Sequence, residues 1–215
     1  MSEVRTACIS RLMRLHIADD SVDLYLLSYM TIGKSGFGRI GTMIIRRNNL
    51  VIRNAEKADC DQLAIWWNDG KVMAHAGFPL GLHTTPDEIE AEISQDSDET
   101  RRRLIIENQG KRIGEMSYSI EDQAAEIGIK ICDPTYQEKG LGRVLLCMLI
   151  RELFTRGYST IKLDTNMNNL RAQHVYEKLG FHQVAVHENS WKNQLGELQS
   201  SVDYELTPEN FIDFS

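Results

Sequence analysis

The stretch Gln137-Glu138-Lys139-Gly140-Leu141-Gly142-Arg143 places two glycines between two cations where an apolar helix pattern begins. Amides in the first turn of a helix have no intrahelical partner, and the macrodipole adds partial positive charge there. Glycines let backbone and ligand approach closely, and Lys139 and Arg143 add charge of their own. The chemistry this suits is the binding of a phosphate or pyrophosphate group. A plain loop-to-helix junction would use the same glycines only for turning, and the motif alone does not separate the two readings.

A second glycine cluster competes for that role. Gly36-Phe37-Gly38-Arg39-Ile40-Gly41 fits the GxGxxG pattern, but it follows no convincing strand and opens no helix. Gly33-Lys34-Ser35 resembles the end of a P-loop, yet Ser28 stands where the earlier glycine is required. The expectation is a linker, with the phosphate role falling to 137–143.

Two flanking segments carry further chemistry. Before the loop, Ala125, Ile127, Ile129 and Ile131 alternate with Glu126, Gly128 and Lys130, the pattern of a strand with Glu126 facing away from the isoleucine row. Glu126 could pair with Lys130 on that face or do chemistry there. An isolated strand glycine such as Gly128 marks a bulge or a close approach. After the loop, Asn169-Leu170-Arg171-Ala172-Gln173-His174-Val175-Tyr176-Glu177-Lys178-Leu179-Gly180-Phe181 reads as a helix capped by Asn168 or Asn169. Tyr176 falls on its apolar stripe with Ala172, Val175 and Leu179, which by itself is a core position.

The elements that position these residues follow from periodicity. Leu50–Arg53 is a first strand and 58–67 a helix. Thr85-Pro86-Asp87-Glu88 starts another helix with a capping box. Strands over 103–107 and 112–119 meet at Asn108-Gln109-Gly110, and 124–132 follows as a longer strand. Helices are expected at 141–154 and 169–178, and strands at 160–164, 181–187 and 202–206. The order describes one α/β layer structure without internal repeats.

Taken together and in order, the Glu126 strand, the Q-x-x-G-x-G loop and the N-x-x-A-x-x-x-Y-E-K-L-G-F helix resemble the GNAT superfamily of acetyl-CoA-dependent N-acetyltransferases. Trp66-Trp67-Asn68-Asp69 and the tail from Trp191 look most like its Rim branch, the ribosomal-protein N-terminal acetyltransferases. The resemblance is strong from Leu50 to Phe181, extends in outline to the C-terminus and does not cover residues 1–42. It implies an α/β (α+β) GNAT fold: a central mixed, mostly antiparallel sheet of six to seven strands flanked by about four helices. It implies acetyl-CoA as co-substrate, its pyrophosphate held by Gln137, Lys139, Gly140, Leu141, Gly142 and Arg143. Its pantetheine arm would run along Ile129 to Ile131, with Asn169 adding a contact. It further implies direct transfer to a primary amine, with Tyr176 as general acid, Glu126 as general base and the Ile131 amide on the thioester oxygen. Acceptor recognition falls to Trp66, Trp67, His75, Phe78 and the loop after Val186. A non-catalytic acyl-CoA-binding or regulatory module of the same fold is the alternative.

Composition sets outer bounds. A net charge of −7 in 215 residues argues against a nucleic-acid or anionic-membrane binder and suits a cationic acceptor, a small amine or a peptide. A homodimer remains compatible with this reading. Cys8, Cys60, Cys132 and Cys147 lack metal-ligand spacing, as do the six histidines, so no metal is expected and the thiols read as reduced and cytoplasmic. No apolar run is long enough to span a bilayer, and the N-terminus does not read as a secretory signal. Residues 1–42 are expected to be an extension of uncertain order, with Met43 the start of an acetyltransferase domain over 43–215.

Overall fold

The computed structural model describes residues 42–214. The 33–41 glycine patch, Cys8 and nearly all of the expected extension lie outside the described residues. Met43 is a core residue, 1% exposed, and its carbonyl accepts from the Asn54 amide.

Among the described residues eight strands form one sheet: β1 (Ile44–Arg47), β2 (Leu50–Asn54), β3 (Arg101–Asn108), β4 (Lys111–Glu121), β5 (Ala124–Ile131), β6 (Thr160–Asn166), β7 (His182–Lys192) and β8 (Leu198–Leu206). Their order is β1-β2-β3-β4-β5-β6-β8-β7, and every pairing is antiparallel except β5 with β6. The expected mixed, mostly antiparallel architecture is present. Its count of six to seven strands is corrected to eight by β1, a four-residue edge strand paired to β2. Ile-Ile-Arg-Arg lacks the apolar alternation that marks a half-buried strand, so pairing and not pattern makes it one.

Among the described residues five α-helices flank the sheet: α1 (Cys60–Asn68), α2 (Gly70–Met73), α3 (Pro86–Ile93), α4 (Leu141–Thr155) and α5 (Leu170–Lys178). The expected capping box at α3 is formed. Thr85 Oγ1 accepts from the Glu88 amide at 3.3 Å, and Glu88 Oε2 accepts from the Thr85 amide at 2.9 Å. α5 is capped by Asn169, whose side chain accepts from the Ala172 amide.

The sheet divides the molecule chemically. On one face Leu104, Ile106, Met116, Tyr118, Ala125 and Ile127 pack with α4 residues Leu145, Leu149 and Leu153 into the main core, together with Tyr176 of α5 and Leu179 just past its end. The opposite face carries Ile105 and Glu115, cross-strand neighbours, beneath the α1 side of the fold, where Trp67 hydrogen-bonds Glu115. Along β5 the isoleucine row faces the first side and Glu126, Gly128 and Lys130 the second, as the alternation predicts.

Candidate active site

The site begins where the sheet opens. The parallel β5–β6 ladder runs from Ala124–Thr160 to Glu126–Lys162 and then ends, although β5 continues to Ile131 and β6 to Asn166. The β4–β5 register shows which groups face that opening. Cys132 N–H donates to Ile113 O, so Gly114 and Ile131 form a non-hydrogen-bonded pair. With no register shift in this ladder, Ile129, two residues earlier, falls in the same class. The main-chain groups of Ile129 and Ile131 therefore point away from β4, toward the side on which the β6 ladder has ended. The Ile131 carbonyl is met there by Gln137 Nε2 at 2.8 Å.

Beyond β5, Asp133 caps a short turn at Pro134–Tyr136, and the loop 137–140 delivers the chain into α4. Glu138 and Gly140 both adopt positive φ, 60° and 75°, which turns the backbone sharply before Leu141. Gly140 is the N-cap of α4 and no side chain caps this end. The first-turn donors of Leu141, Gly142 and Arg143 thus lack the usual internal acceptor. A Cβ built on Gly142 would touch only the Ile131 Cδ1 methyl, at 3.9 Å. Internal packing does not demand a glycine there, and the open space suits close approach of an external group.

The cations of this loop are placed differently from one another. Lys139 is exposed, its ammonium 5.7 Å from the Tyr136 ring centroid. The Arg143 guanidinium lies 4.4 Å from the centroid of Phe214 in the C-terminal segment, and its Nε has no protein hydrogen-bond partner. Arg171 on α5 pairs with Glu138 at 3.2 Å, linking the loop to the neighbouring helix. These residues fit a diphosphate: uncapped helix amides, an open glycine and cations within the same turn.

Tyr176 is buried between the Phe181 and Tyr204 rings, at centroid distances of 5.9 and 5.8 Å. Burial pushes its phenol well above the ordinary tyrosine value, and the negative charge of Asp164 pushes it the same way. The group is held protonated across physiological pH, as a proton donor must be.

Around the opening on the opposite face the registers line up acidic side chains. Glu126 stands beside Lys162, and Lys162 beside Glu205, with an ion pair of 3.8 Å between the last two. One row on, Asp164 of β6 faces Asp203 of β8, and Asp203 holds His187 at 2.7 Å. Asp164 lies on the part of β6 beyond the ladder's end and is exposed. Sequence reasoning did not single it out. The cue was its place on the strand leading into the Tyr176 helix, but only the register shows which way that strand opens.

Lys130, the partner considered for Glu126, is tied to Glu115 at 2.9 Å. Glu115 is 2% exposed and also receives Arg103 at 3.1 Å and Trp67 Nε1 at 3.0 Å. Burial alone would raise its pKa, but the Lys130 and Arg103 charges and the hydrogen bonds hold it below the ordinary glutamate value. Trp67 is thereby a structural residue, stacked under Arg103 at 4.7 Å. Trp66 and Phe78 are likewise buried, while His75 is exposed. Among the described residues there is no cluster of three or more metal-ligating side chains, and no helix is long and apolar enough to cross a membrane.

The chain is similar to several known proteins. The Acetyltransferase (GNAT) family profile matches residues 78–181. A [ribosomal protein bS18]-alanine N-acetyltransferase of Salmonella typhimurium is 34% identical over 106 residues, spanning 44% of this chain and 72% of that protein. The fold matches that of a spermidine N-acetyltransferase from Vibrio cholerae solved with CoA and spermine, with a TM-score of 0.68, 23% identity, and coverage of 75% of this chain and 97% of the other. It also matches a Salmonella typhimurium acetyl transferase described as modifying the N-terminal serine of ribosomal protein L7/L12, with a TM-score of 0.66, 18% identity, and coverage of 77% and 99%. On the family profile and on a 34% identical relative matched over 72% of its length, this protein belongs to the GNAT family of acetyl-CoA-dependent N-acetyltransferases.

Proposed function

We propose that the chain transfers acetyl from acetyl-CoA directly to the primary amine of a peptide N-terminus, within a cleft between β5 and β6. The observation that carries this reading is the β5–β6 opening itself. It presents the main chain of Ile129 and Ile131 at one edge, leads to the α4 N-terminus at one end, and is flanked on β6 by Asp164, whose charge reaches the buried Tyr176. The pyrophosphate is assigned to the amides of Leu141, Gly142 and Arg143 with Lys139 nearby, and the pantetheine arm to Ile129–Ile131 as an added strand. Gln137 fixes the end of β5, and Asn169 fixes the start of α5.

The amine enters from the acidic face, where Glu126, Asp164 and Asp203 favour a cation. It must lose a proton to attack the thioester carbon. Glu126 and Asp164 are the two carboxylates assigned to this step, directly or through water. Asp164 is given the larger share, because it is exposed on the part of β6 beyond the ladder's end, whereas Glu126 sits within the ladder. The nitrogen bonds to the carbonyl carbon, the carbon–sulfur bond breaks, and Tyr176 supplies a proton to the departing thiolate. The Ile131 amide stabilises the oxyanion.

The acceptor class draws on the 34% identical relative, named as an alanine N-acetyltransferase of ribosomal protein bS18, and on the fold neighbour described as modifying an N-terminal serine. The test is acetyl transfer, with release of free CoA thiol, to peptides beginning with alanine or serine and to a panel of small amines. Peptide acetylation with higher kcat/KM than any small amine is expected. Preference for a polyamine would reassign the acceptor. Tight CoA binding with no transfer to any amine would favour a non-catalytic module.

A further inference from the structure

Two segments far apart in sequence meet over the open end of the β5–β6 cleft. β5 and β6 pair at their N-terminal ends, so the cleft widens toward Ile131 and Asn166. Asn166 pairs with Ser201 near the start of β8, which brings the tip of the β7–β8 hairpin to that same end. The turn at 74–76 packs against β6 from the α1 side.

The hairpin tip is locked in shape. Asn193 Oδ1 accepts from the Leu195 and Glu197 amides, and its Nδ2 donates to Glu197 Oε2 at 2.7 Å. From this tip Gln194 reaches across to the 77–81 segment. Its amide donates to Gly77 O at 2.8 Å, its Oε1 accepts from the Leu80 amide at 2.8 Å, and its Nε2 donates to Gly81 O at 2.9 Å. One residue thus satisfies three main-chain groups of a loop that has no regular structure of its own. Trp191 closes the same contact. A Cβ built on Gly77 would lie 2.4 Å from its ring, and Gly77 sits at φ +94°, so no other residue permits this approach without strain. The far side of the loop is tied to α1, because the Asn68 side chain exchanges two hydrogen bonds of 2.8 Å with the Thr84 main chain.

We propose that Gln194 is a positioning residue for the acceptor. It clasps the β7–β8 hairpin to the 77–81 loop, so that the amine enters the cleft between two walls held at fixed separation. The proposal rests on the acetyl-transfer reading and adds to it the residue that sets the acceptor mouth. The cofactor side, at the α4 N-terminus, is untouched by the clasp.

The experiment is steady-state kinetics with the best acceptor peptide, beside amide hydrogen exchange. Gln194→Ala is expected to expose the Leu80 amide to exchange and to raise KM for the acceptor about tenfold. That factor corresponds to ~1.4 kcal/mol, within the range of one or two neutral hydrogen bonds. The kcat and the KM for acetyl-CoA should stay within about twofold. Gly77→Ala, which drives a methyl group into Trp191, should raise the same KM independently of Gln194. Faster Leu80 exchange with unchanged acceptor KM would overturn the proposal, as would an equal rise in both KM values. Wild-type protein that acetylates no amine would instead sink the transfer reading.

Discussion

At the scale of single residues, the proposed site rests on set protonation states and on room left for a ligand. Tyr176 is kept protonated by burial and by the Asp164 charge, so Tyr176→Phe should lower kcat by about 10²-fold or more, the usual worth of a positioned acid. Acetyl-CoA affinity should hardly change, and an unaltered kcat would remove the proton-donor role. For the base, Asp164→Asn is expected to cut kcat/KM more than Glu126→Gln and to flatten the acidic limb of its pH profile, since a base must be ionised to act. The reverse order would return the role to Glu126. Gly142 tests the phosphate turn. With only the Ile131 methyl nearby at 3.9 Å, Gly142→Val should fold normally yet weaken acetyl-CoA binding about tenfold or more by filling the space the diphosphate needs. Calorimetric titration with CoA reads this directly. Gly142 and Tyr176 were legible as sequence because each sits in a local signature. Asp164 was not, because the role proposed for it depends on where β6 leaves β5.

At the scale of elements, the cleft exists because β5 and β6 part while α1 and α4 hold opposite faces of the sheet in place. The α1 side is pinned by the buried Glu115, which binds Trp67 of α1, Arg103 of β3 and Lys130 of β5. Removing one partner of such a network leaves buried charge without compensation, at a cost of about 3–5 kcal/mol. Glu115→Gln should therefore lower the unfolding midpoint sharply in denaturant. The sign of the pH dependence follows from the depressed pKa of Glu115. Its stabilisation is complete above the unfolded glutamate value near ~4.3 and is lost as pH falls through the lower folded value. The wild type should lose this increment on acidification while Glu115→Gln shows a shallower acid loss; parallel acid curves would contradict it. This network was invisible in sequence, because its members lie at 67, 103, 115 and 130 and only strand register joins them. The capping box at Thr85 and the turn before α4 were visible, since their partners are three or four residues apart. β1 was missed because it is held by β2 and not by an alternating pattern.

At the scale of the whole molecule, the sheet separates cofactor from acceptor. In the proposed reading the diphosphate meets the helix end on one side and the amine meets carboxylates on the other, with the thioester between them. This geometry needs no covalent intermediate on the protein. Cys60, Cys132 and Cys147 are buried, and burial raises the pKa of each thiol, which suppresses the nucleophilic thiolate. The most direct test is a mass measurement on protein mixed with acetyl-CoA, first without and then with the acceptor peptide. The protein mass is expected to stay unchanged throughout, while acetyl-peptide and free CoA appear in equal amounts only after the peptide is added. An acetyl adduct on the protein that decays when the peptide arrives would contradict direct transfer.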